Sequence, residues 1–208
     1  MKALKELFYI IYKKNSELEE YNKNLEEEVY KRTKELENLN EKLEALSMTD
    51  ELTGLPNRRF AMLTLEKYIK AWERYKNVFS LAFIDADKFK QVNDTFGHDY
   101  GDKVLIWISD FLKNHLRDSD IVCRLGGDEF LVICPNSNGE DAKKACQLLI
   151  EKYKEINANN PLAYWTVSLS IGIIEVTQKE TTADSMLQKA DRAMYDAKRD
   201  GGGKLVLI

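Results

Sequence analysis

Residues 123–135, CRLGGDEFLVICP, place two glycines and two acids in the middle of a largely apolar run. The flanks are rich in Val, Ile, Leu and Phe, which predicts strands over 121–125 and 129–134. Glycine adopts positive φ without a side-chain clash, so Gly126 and Gly127 predict the hairpin turn and leave room for a ligand against the backbone. The acids that follow, Asp128 and Glu129, are then expected at the rim of the sheet.

A second pair of acids follows a predicted strand over 79–85. Asp85 and Asp87 have the alternate spacing of one strand face. If this strand neighbours the hairpin, Asp85 and Asp128 converge at one edge. Convergent carboxylates suit Mg²⁺ that also binds substrate phosphates, and two such ions can assist an in-line phosphoryl displacement. The alternative is that these acids only cap solvent-exposed strand ends.

The remaining apolar patterns and turn residues give the order of elements from residue 49 onward. Helices are predicted over 58–75, 88–96, 100–116, 141–156 and 183–199. Further strands are predicted over 164–176 and 204–208. This order predicts an α+β fold with a ferredoxin-like, palm-type sheet whose flanking helices lie on one face.

Residues 1–48 contain no Gly or Pro and repeat apolar positions every seven residues. The two series are Phe8, Asn15, Asn22, Val29, Leu36, Leu43 and Leu4, Ile11, Leu18, Leu25, Arg32, Leu39, Leu46. This a/d pattern predicts a long parallel coiled coil and therefore a homodimer, with the two Asn positions fixing its register. The alternative is a single helix packed on its own domain. The expected domains are 1–48, for dimerisation and signalling, and 49–208, for catalysis.

Composition limits the expected partners and compartment of the chain. The 208 residues carry a net charge of −4 and no broad basic field, so no nucleic-acid partner is expected. Three cysteines without metal-ligand spacing indicate reduced thiols and a cytoplasmic location. No apolar run is long enough for a membrane span, and an upstream sensor domain is compatible with the pattern.

Four segments, in order, resemble the GGDEF domain family, the diguanylate cyclases. They are DELTGLPNRR (50–59), DADKFKQVNDTFGHDYGD (85–102), GGDEF (126–130) and ADRAMYDAKRDG (190–201). The resemblance covers residues 49–208 and implies the fold of that family. It also implies an enzyme that joins two GTP molecules into cyclic di-GMP and releases two pyrophosphates.

The resemblance implies a role for each acid. Asp85 and Asp128 match metal-binding carboxylates, and the carbonyl of Ala86 matches a main-chain ligand. Two Mg²⁺ or Mn²⁺ ions are then expected in each half-site. Asp128 also matches the position assigned as general base for the 3′-hydroxyl, and Glu129 supports the same catalytic site.

The resemblance also assigns the substrate contacts. Asn93 and Asp102 match the pair that reads guanine, whose N1–H and N2–H₂ edge offers donors that adenine lacks there. Lys198 matches a triphosphate-binding lysine, and Lys90 and His98 match positions near the phosphates, with Lys90 also expected in catalysis. Without the family, His98 is equally well read as a local turn partner, and the two lysines as solvated helix faces.

One position departs from the family pattern. Gly202 stands where the family usually has a phosphate-binding arginine. Lys204 is a candidate substitute that would act as a point charge without bidentate geometry. The expectation is weaker triphosphate binding, not inactivity.

Arg117 and Asp120 form an R-x-x-D stretch shortly before Gly126. Its position resembles the family's inhibitory site, which would bind the cyclic di-GMP product. A salt bridge at a helix end is the alternative, and a second arginine for such a site is not identifiable from the sequence.

Three functions are compatible with these patterns. The leading prediction is an active diguanylate cyclase that works as a dimer, because each domain holds only one GTP. The second is a catalytically silent domain that senses GTP or cyclic di-GMP. The third is a palm-like domain with other nucleotide chemistry on a coiled-coil module.

Overall fold

The computed structural model describes residues 2–159, 167–177, 182–199 and 201–208. The helices are α1 (Lys2–Leu46), α2 (Arg58–Tyr75), α3 (Phe89–Phe96), α4 (His98–His115), α5 (Gly139–Ala158) and α6 (Ala183–Arg199). The strands are β1 (Phe79–Asp87), β2 (Ile121–Gly126), β3 (Glu129–Pro135), β4 (Ser168–Glu175) and β5 (Leu205–Leu207). The chain divides into two compact units, Met1–Ser47 and Met48–Ile208. No helix in the described ranges has the length and apolarity that a membrane crossing requires.

The five strands form one sheet in the order β2-β3-β1-β4-β5. The first four strands pair in antiparallel fashion, and β5 pairs with β4 in parallel. Strand β3 therefore lies between β1 and β2, which is the arrangement of the ferredoxin-like sheet. The predicted α+β fold class is confirmed.

Helices cover both faces of the sheet. Ala82 and Ile84 of β1 pack in the core that α4 and α5 share, whereas Leu81 and Phe83 pack in the core shared by α2 and α6. The expectation that the helices lie on one face is therefore wrong. All nine positions of β1 are buried because helices cover the strand on both faces, and its residues 81–84 are apolar without interruption.

Local signals set the helix boundaries. Helix α2 begins after Asn57, whose side chain accepts a hydrogen bond from the amide of Phe60 at 3.1 Å. Helix α5 begins two residues earlier than predicted because Asn138 caps it. Strand β1 extends to Asp87 because it pairs with β4 up to Ser168. The predicted first residues of the fourth strand, 164–166, lie outside the described residues.

The first unit is the single helix α1. Six of its apolar heptad side chains are exposed: Ile11, Leu18, Leu25, Val29, Leu36 and Leu39. Arg32 interrupts this stripe and lies 3.5 Å from Glu35 and 3.9 Å from Glu28 of the same helix. An exposed apolar stripe is what a paired helix needs, and the coiled coil itself stays a prediction.

Candidate active site

The candidate site lies where β1 ends beside the β2–β3 hairpin. Asp85 stands opposite Glu129 in the β1–β3 register, and the amide of Ala86 donates to the carbonyl of Asp128 at 3.2 Å. The two acidic segments, about forty residues apart in the sequence, therefore meet at one edge of the sheet, as predicted.

The hairpin turn differs in detail from its prediction. Because Gly126 pairs with Glu129, the two central residues are Gly127 and Asp128, not the two glycines. Gly126 and Gly127 do have positive φ, at 139° and 53°. A Cβ atom at either glycine would meet nothing within 4 Å, so the space beside the turn is open to a ligand.

A buried arginine fixes this hairpin to the loop that precedes α2. The Nε and Nη2 atoms of Arg124 donate to the carbonyl of Gly127 at 3.1 and 2.8 Å. Its Nη1 atom lies 2.9 Å from Oδ1 of Asp50, which also accepts from the amide and hydroxyl of Thr53. Burial alone would raise the pKa of Asp50, but the hydrogen bonds from Thr53 and Arg124 hold it below its ordinary value. Neither Arg124 nor Asp50 was predicted as a site residue, although they lie within the quoted stretches 123–135 and 50–59.

Lys198, from the last turn of α6, enters the acidic site. Its Nζ atom lies 2.6 Å from Oδ1 of Asp85, whose side chain is 7% exposed. Burial raises the pKa of Asp85 to about 6, against the opposing effect of Lys198 and with further contributions from the charges of Asp128 and Asp87. The structure thus joins Asp85 and Lys198, which are 113 residues apart in the chain.

Two charged residues for which the sequence predicted no role, Asp191 and Arg58, affect the pKa of Glu129. Burial raises the pKa of Glu129, and the negative charges of Asp191 and then Asp128 raise it further. Arg58 and Lys198 oppose this shift. Both Asp191 and Arg58 are exposed, and they belong to the quoted segments 190–201 and 50–59.

Asp87 has a different environment from Asp85. Its carboxylate accepts hydrogen bonds from the hydroxyls of Ser168 and Ser170, at 2.6 and 2.8 Å, and from the amide of Gly203 at 2.9 Å. A Cβ at Gly202, where φ is +71°, would lie 2.9 Å from Oδ2 of Asp87. Asp87 therefore fastens the segment after α6 to the sheet, and the backbone of that segment is suited to glycine rather than to the arginine usual in the family.

The residues expected to read guanine lie at the α3–α4 junction. Oδ1 of Asn93 is buried and has no hydrogen-bond partner. Its amide lies against Gly101, which directly precedes the exposed Asp102. Lys90 on α3 and His98, the first residue of α4, are both exposed. A buried acceptor without a donor is costly unless a ligand supplies one.

The carboxylate oxygens at this edge of the sheet are suitable ligands for a divalent cation. Carboxylate oxygens are the ligands that Mg²⁺ and Mn²⁺ prefer, and the Lys198 ammonium already stands against Asp85 as a positive charge. Within the described ranges, no three Asp, Glu, His or Cys side chains are grouped closely enough to hold an ion by themselves. Further ligands would therefore have to come from the main chain and from nucleotide phosphates.

The R-x-x-D stretch lines a separate cavity of about 660 Å³ between the end of α4 and α5. The carboxylate of Asp120 accepts from the amide of Arg117 at 3.1 Å, which closes a turn. Lys144 and Lys152 of α5 line the same cavity. The structure thus supplies cations beside Arg117 that the sequence could not identify.

Comparisons with known proteins agree with this geometry. The family model described as "Diguanylate cyclase, GGDEF domain" matches residues 47–204. Diguanylate cyclase DgcP of Escherichia coli K12 is 37% identical over 157 residues, which are 76% of this chain and 46% of that protein. Response regulator PleD of Caulobacter vibrioides is 35% identical over 167 residues, covering 77% of this chain and 36% of that protein. The chain thus spans less than half the length of these curated relatives.

Two solved structures are also similar. Diguanylate cyclase SiaD of Pseudomonas aeruginosa, in complex with its activator SiaC, matches with a TM-score of 0.72 and 32% identity, over 99% of this chain and 84% of that one. The coiled coil and GGDEF domain of DgcB from Caulobacter crescentus, in complex with c-di-GMP, matches with a TM-score of 0.70 and 26% identity, over 88% of this chain and 99% of that one. The sheet order, the glycine turn with its acids and these matches lead to one conclusion: the chain belongs to the GGDEF domain family.

Proposed function

We propose that this protein is a diguanylate cyclase, which condenses two GTP molecules into cyclic di-GMP and two pyrophosphates. The observation that carries the proposal is the convergence of Asp85 with Asp128 and Glu129 beside an open glycine turn. A lysine against these acids adds a positive charge where a triphosphate would arrive. Membership of the family supplies the reaction class.

The acids of the hairpin and β1 have distinct roles in this proposal. Asp85, Asp128 and the carbonyl of Ala86 would hold two Mg²⁺ or Mn²⁺ ions in each half-site. When bound, such ions neutralise phosphate charge and make the α-phosphate a better electrophile. Asp128 accepts the proton of the 3′-hydroxyl, and Glu129 stands beside it at the same edge.

Guanine is the proposed base. The buried Oδ1 of Asn93 has no donor within the protein, and the N2–H₂ group of guanine, which adenine lacks at that position, is proposed to satisfy it. Asp102, which follows Gly101, accepts from the same edge of guanine. Adenine would leave these acceptors unpaired, and this is the type of difference that gives large discrimination.

Side chains of three segments contact the triphosphate in this proposal: Lys198, Lys90 and His98. Lys198 supplies charge without a fixed geometry because an ammonium is a compact group on a flexible stem. With glycine at position 202, bidentate recognition of the phosphates is missing, so the affinity for GTP is expected to be modest. Lys204 is the proposed substitute.

The proposed active form is a homodimer joined by a parallel coiled coil of residues 1–48. Its support is the exposed apolar stripe of α1, which includes Leu25 and Leu36. Pairing would bring two catalytic domains, each with one GTP, to high effective concentration. Replacing Leu25 by Asp is expected to give monomers by sedimentation and to lower synthesis at low protein concentration.

We also assign the cavity beside Arg117 and Asp120 to inhibition by the product. Three positive groups of its lining, Arg117, Lys144 and Lys152, are proposed to bind the two phosphates of cyclic di-GMP, although four acids, Asp120, Asp141, Glu151 and Glu155, line it as well. Its volume of about 660 Å³ admits a ligand of that size. Three buried free cysteines fit a reducing cytoplasm, which also supplies GTP.

A catalytically silent receptor for GTP or cyclic di-GMP is the second candidate. The packing of Gly202 against Asp87 favours it, because that packing leaves no place for the phosphate-binding arginine. The unaltered set of Asp85, Asp128 and Glu129 opposes it.

The deciding experiment is incubation of the purified chain with GTP and Mg²⁺, followed by chromatography of the nucleotides. Asp128→Asn removes the charge and keeps the size, and Asp110→Asn, an exposed acid of α4 outside both proposed sites, is the matched control. We expect cyclic di-GMP from the wild type and the control, and none from Asp128→Asn. If the protein binds GTP but forms no product, even after bound product has been removed, the receptor hypothesis is correct and the cyclase hypothesis is wrong.

A further inference from the structure

The ion pair between Lys198 and Asp85 places a cation of the protein against a carboxylate proposed to bind metal. The Nζ–Oδ1 distance is 2.6 Å, the Asp85 side chain is 7% exposed and that of Lys198 is 34% exposed. Asp128 and Asp87 add negative charge near Asp85, and Lys198 also acts on Glu129. Lys198 is therefore the ion-pair partner of the most buried acid in the cluster.

The main chain at Lys198 is held by helix α6 before this residue and by hydrogen bonds after it. The amide of Gly201 donates to the carbonyl of Lys198 at 3.1 Å and ends α6. The amide of Gly203 donates to Asp87 at 2.9 Å, which fastens the following segment to β1 and β4. Any movement of the ammonium must come from rotation about the side-chain bonds, and the lysine stem has four such bonds available.

The ammonium and a divalent ion compete for the same oxygen atoms. A carboxylate this buried needs a positive partner, and two cations against one oxygen repel each other strongly at low dielectric. A divalent ion can bind Asp85 only when the ammonium moves away. A nucleotide triphosphate offers it a new anionic partner, whereas a free metal ion offers it none.

On the basis of the proposed function, we propose that Lys198 is a placeholder cation that excludes free metal from Asp85 while no nucleotide is bound. It neutralises Asp85 until the nucleotide arrives, then transfers to the triphosphate while Asp85 takes up the metal. Metal and nucleotide consequently bind as one complex, and the protein alone binds Mg²⁺ or Mn²⁺ weakly.

The inference is tested by titrating the full chain with Mn²⁺ in the absence of nucleotide and measuring free Mn²⁺ by electron paramagnetic resonance. The buffer is kept well above the pKa of Asp85, so that protons do not compete. Lys198→Met removes the charge and keeps the length, Lys198→Arg keeps the charge, and Lys189→Met, an exposed lysine of the same helix, is the matched control. Thermal unfolding verifies that each variant is folded.

We expect Lys198→Met to bind Mn²⁺ at least about fivefold more tightly than the wild type, the lower end of typical coupling between two ligands. Lys198→Arg and Lys189→Met should match the wild type. Adding Asp85→Asn to Lys198→Met should abolish the gain. Unchanged, weaker or undetectable Mn²⁺ binding by Lys198→Met overturns the inference.

This outcome is separable from failure of the proposed function, because the titration contains no nucleotide. A wild type that makes cyclic di-GMP while Lys198→Met shows no gain removes the placeholder role alone. A wild type that neither binds GTP nor makes product removes the proposed function, whatever the Mn²⁺ titration shows.

Discussion

Gly101 lies in the first turn of α4, is buried, and touches the amide of Asn93. A Cβ at this position would overlap Oδ1 of Asn93 and would lie 3.0 Å from its Cγ and 3.1 Å from Cζ of Phe89. Ordinary contacts of a Cβ atom are 3.4–4 Å. Gly101→Ala must therefore displace the Asn93 amide by about 1 Å, a displacement that costs an active site on the order of 100-fold in rate.

The stability of the variant should change far less than its activity. Alanine is better than glycine in a helix by about 1 kcal/mol. Overpacking a core costs about 1–3 kcal/mol, so the two effects leave a net loss of at most about 2 kcal/mol. The variant should fold, and its kcat/KM for GTP should fall by about 10- to 100-fold because Asn93, the proposed guanine acceptor, is misplaced.

The assay is steady-state synthesis of cyclic di-GMP combined with GTP binding by calorimetry. Asp110→Ala, an exposed position of the same helix, is the matched control and should resemble the wild type. In an Asn93→Ala background, Gly101→Ala should add almost nothing, since the two act through one contact. Wild-type GTP affinity in Gly101→Ala, or an equal loss in both backgrounds, would refute the steric argument.

Three further predictions concern other parts of the catalytic unit. Because the pKa of Asp85 is raised to about 6, the folded protein keeps a proton that the unfolded chain has released above pH 3.8. The free energy of unfolding should therefore fall by up to about 3 kcal/mol as pH rises through this window, and urea titrations should show a smaller fall in Asp85→Asn. Arg124→Met leaves Asp50 without its cation but with its hydrogen bonds from Thr53, so urea unfolding should show a loss of about 2 kcal/mol in the free energy of unfolding; an unchanged midpoint would contradict a stabilising role of the Arg124–Asp50 ion pair. Arg117→Ala should weaken binding of cyclic di-GMP at least about tenfold by calorimetry with uninhibited synthesis intact, and undiminished product inhibition would count against the cavity.

Much of the fold follows from local sequence patterns. The helix bounds Arg58–Tyr75 and Ala183–Arg199 match their predictions, because capping residues and apolar periodicity act within one element. The hairpin was also predicted from local signals, and its glycines adopt positive φ, although its central residues are Gly127 and Asp128. The acids Asp85 and Asp128 were found in the same way, since each directly follows a strand or turn signal.

The contacts between distant segments of the chain were decided only by the tertiary structure. Examples are the ion pair of Lys198 with Asp85 and the hydrogen bonds of Arg124 with Asp50 and of Gly203 with Asp87. The residues joined by these two hydrogen bonds are 74 and 116 positions apart in the chain. That helices cover both faces of the sheet was also decided only by the tertiary structure, although the apolar run 81–84 of β1 is typical of such a strand. Periodicity states which side of an element is apolar, but it does not state which element lies against that side. The order β2-β3-β1-β4-β5 makes that choice, because it sets which strand ends meet and therefore which charges share one buried edge.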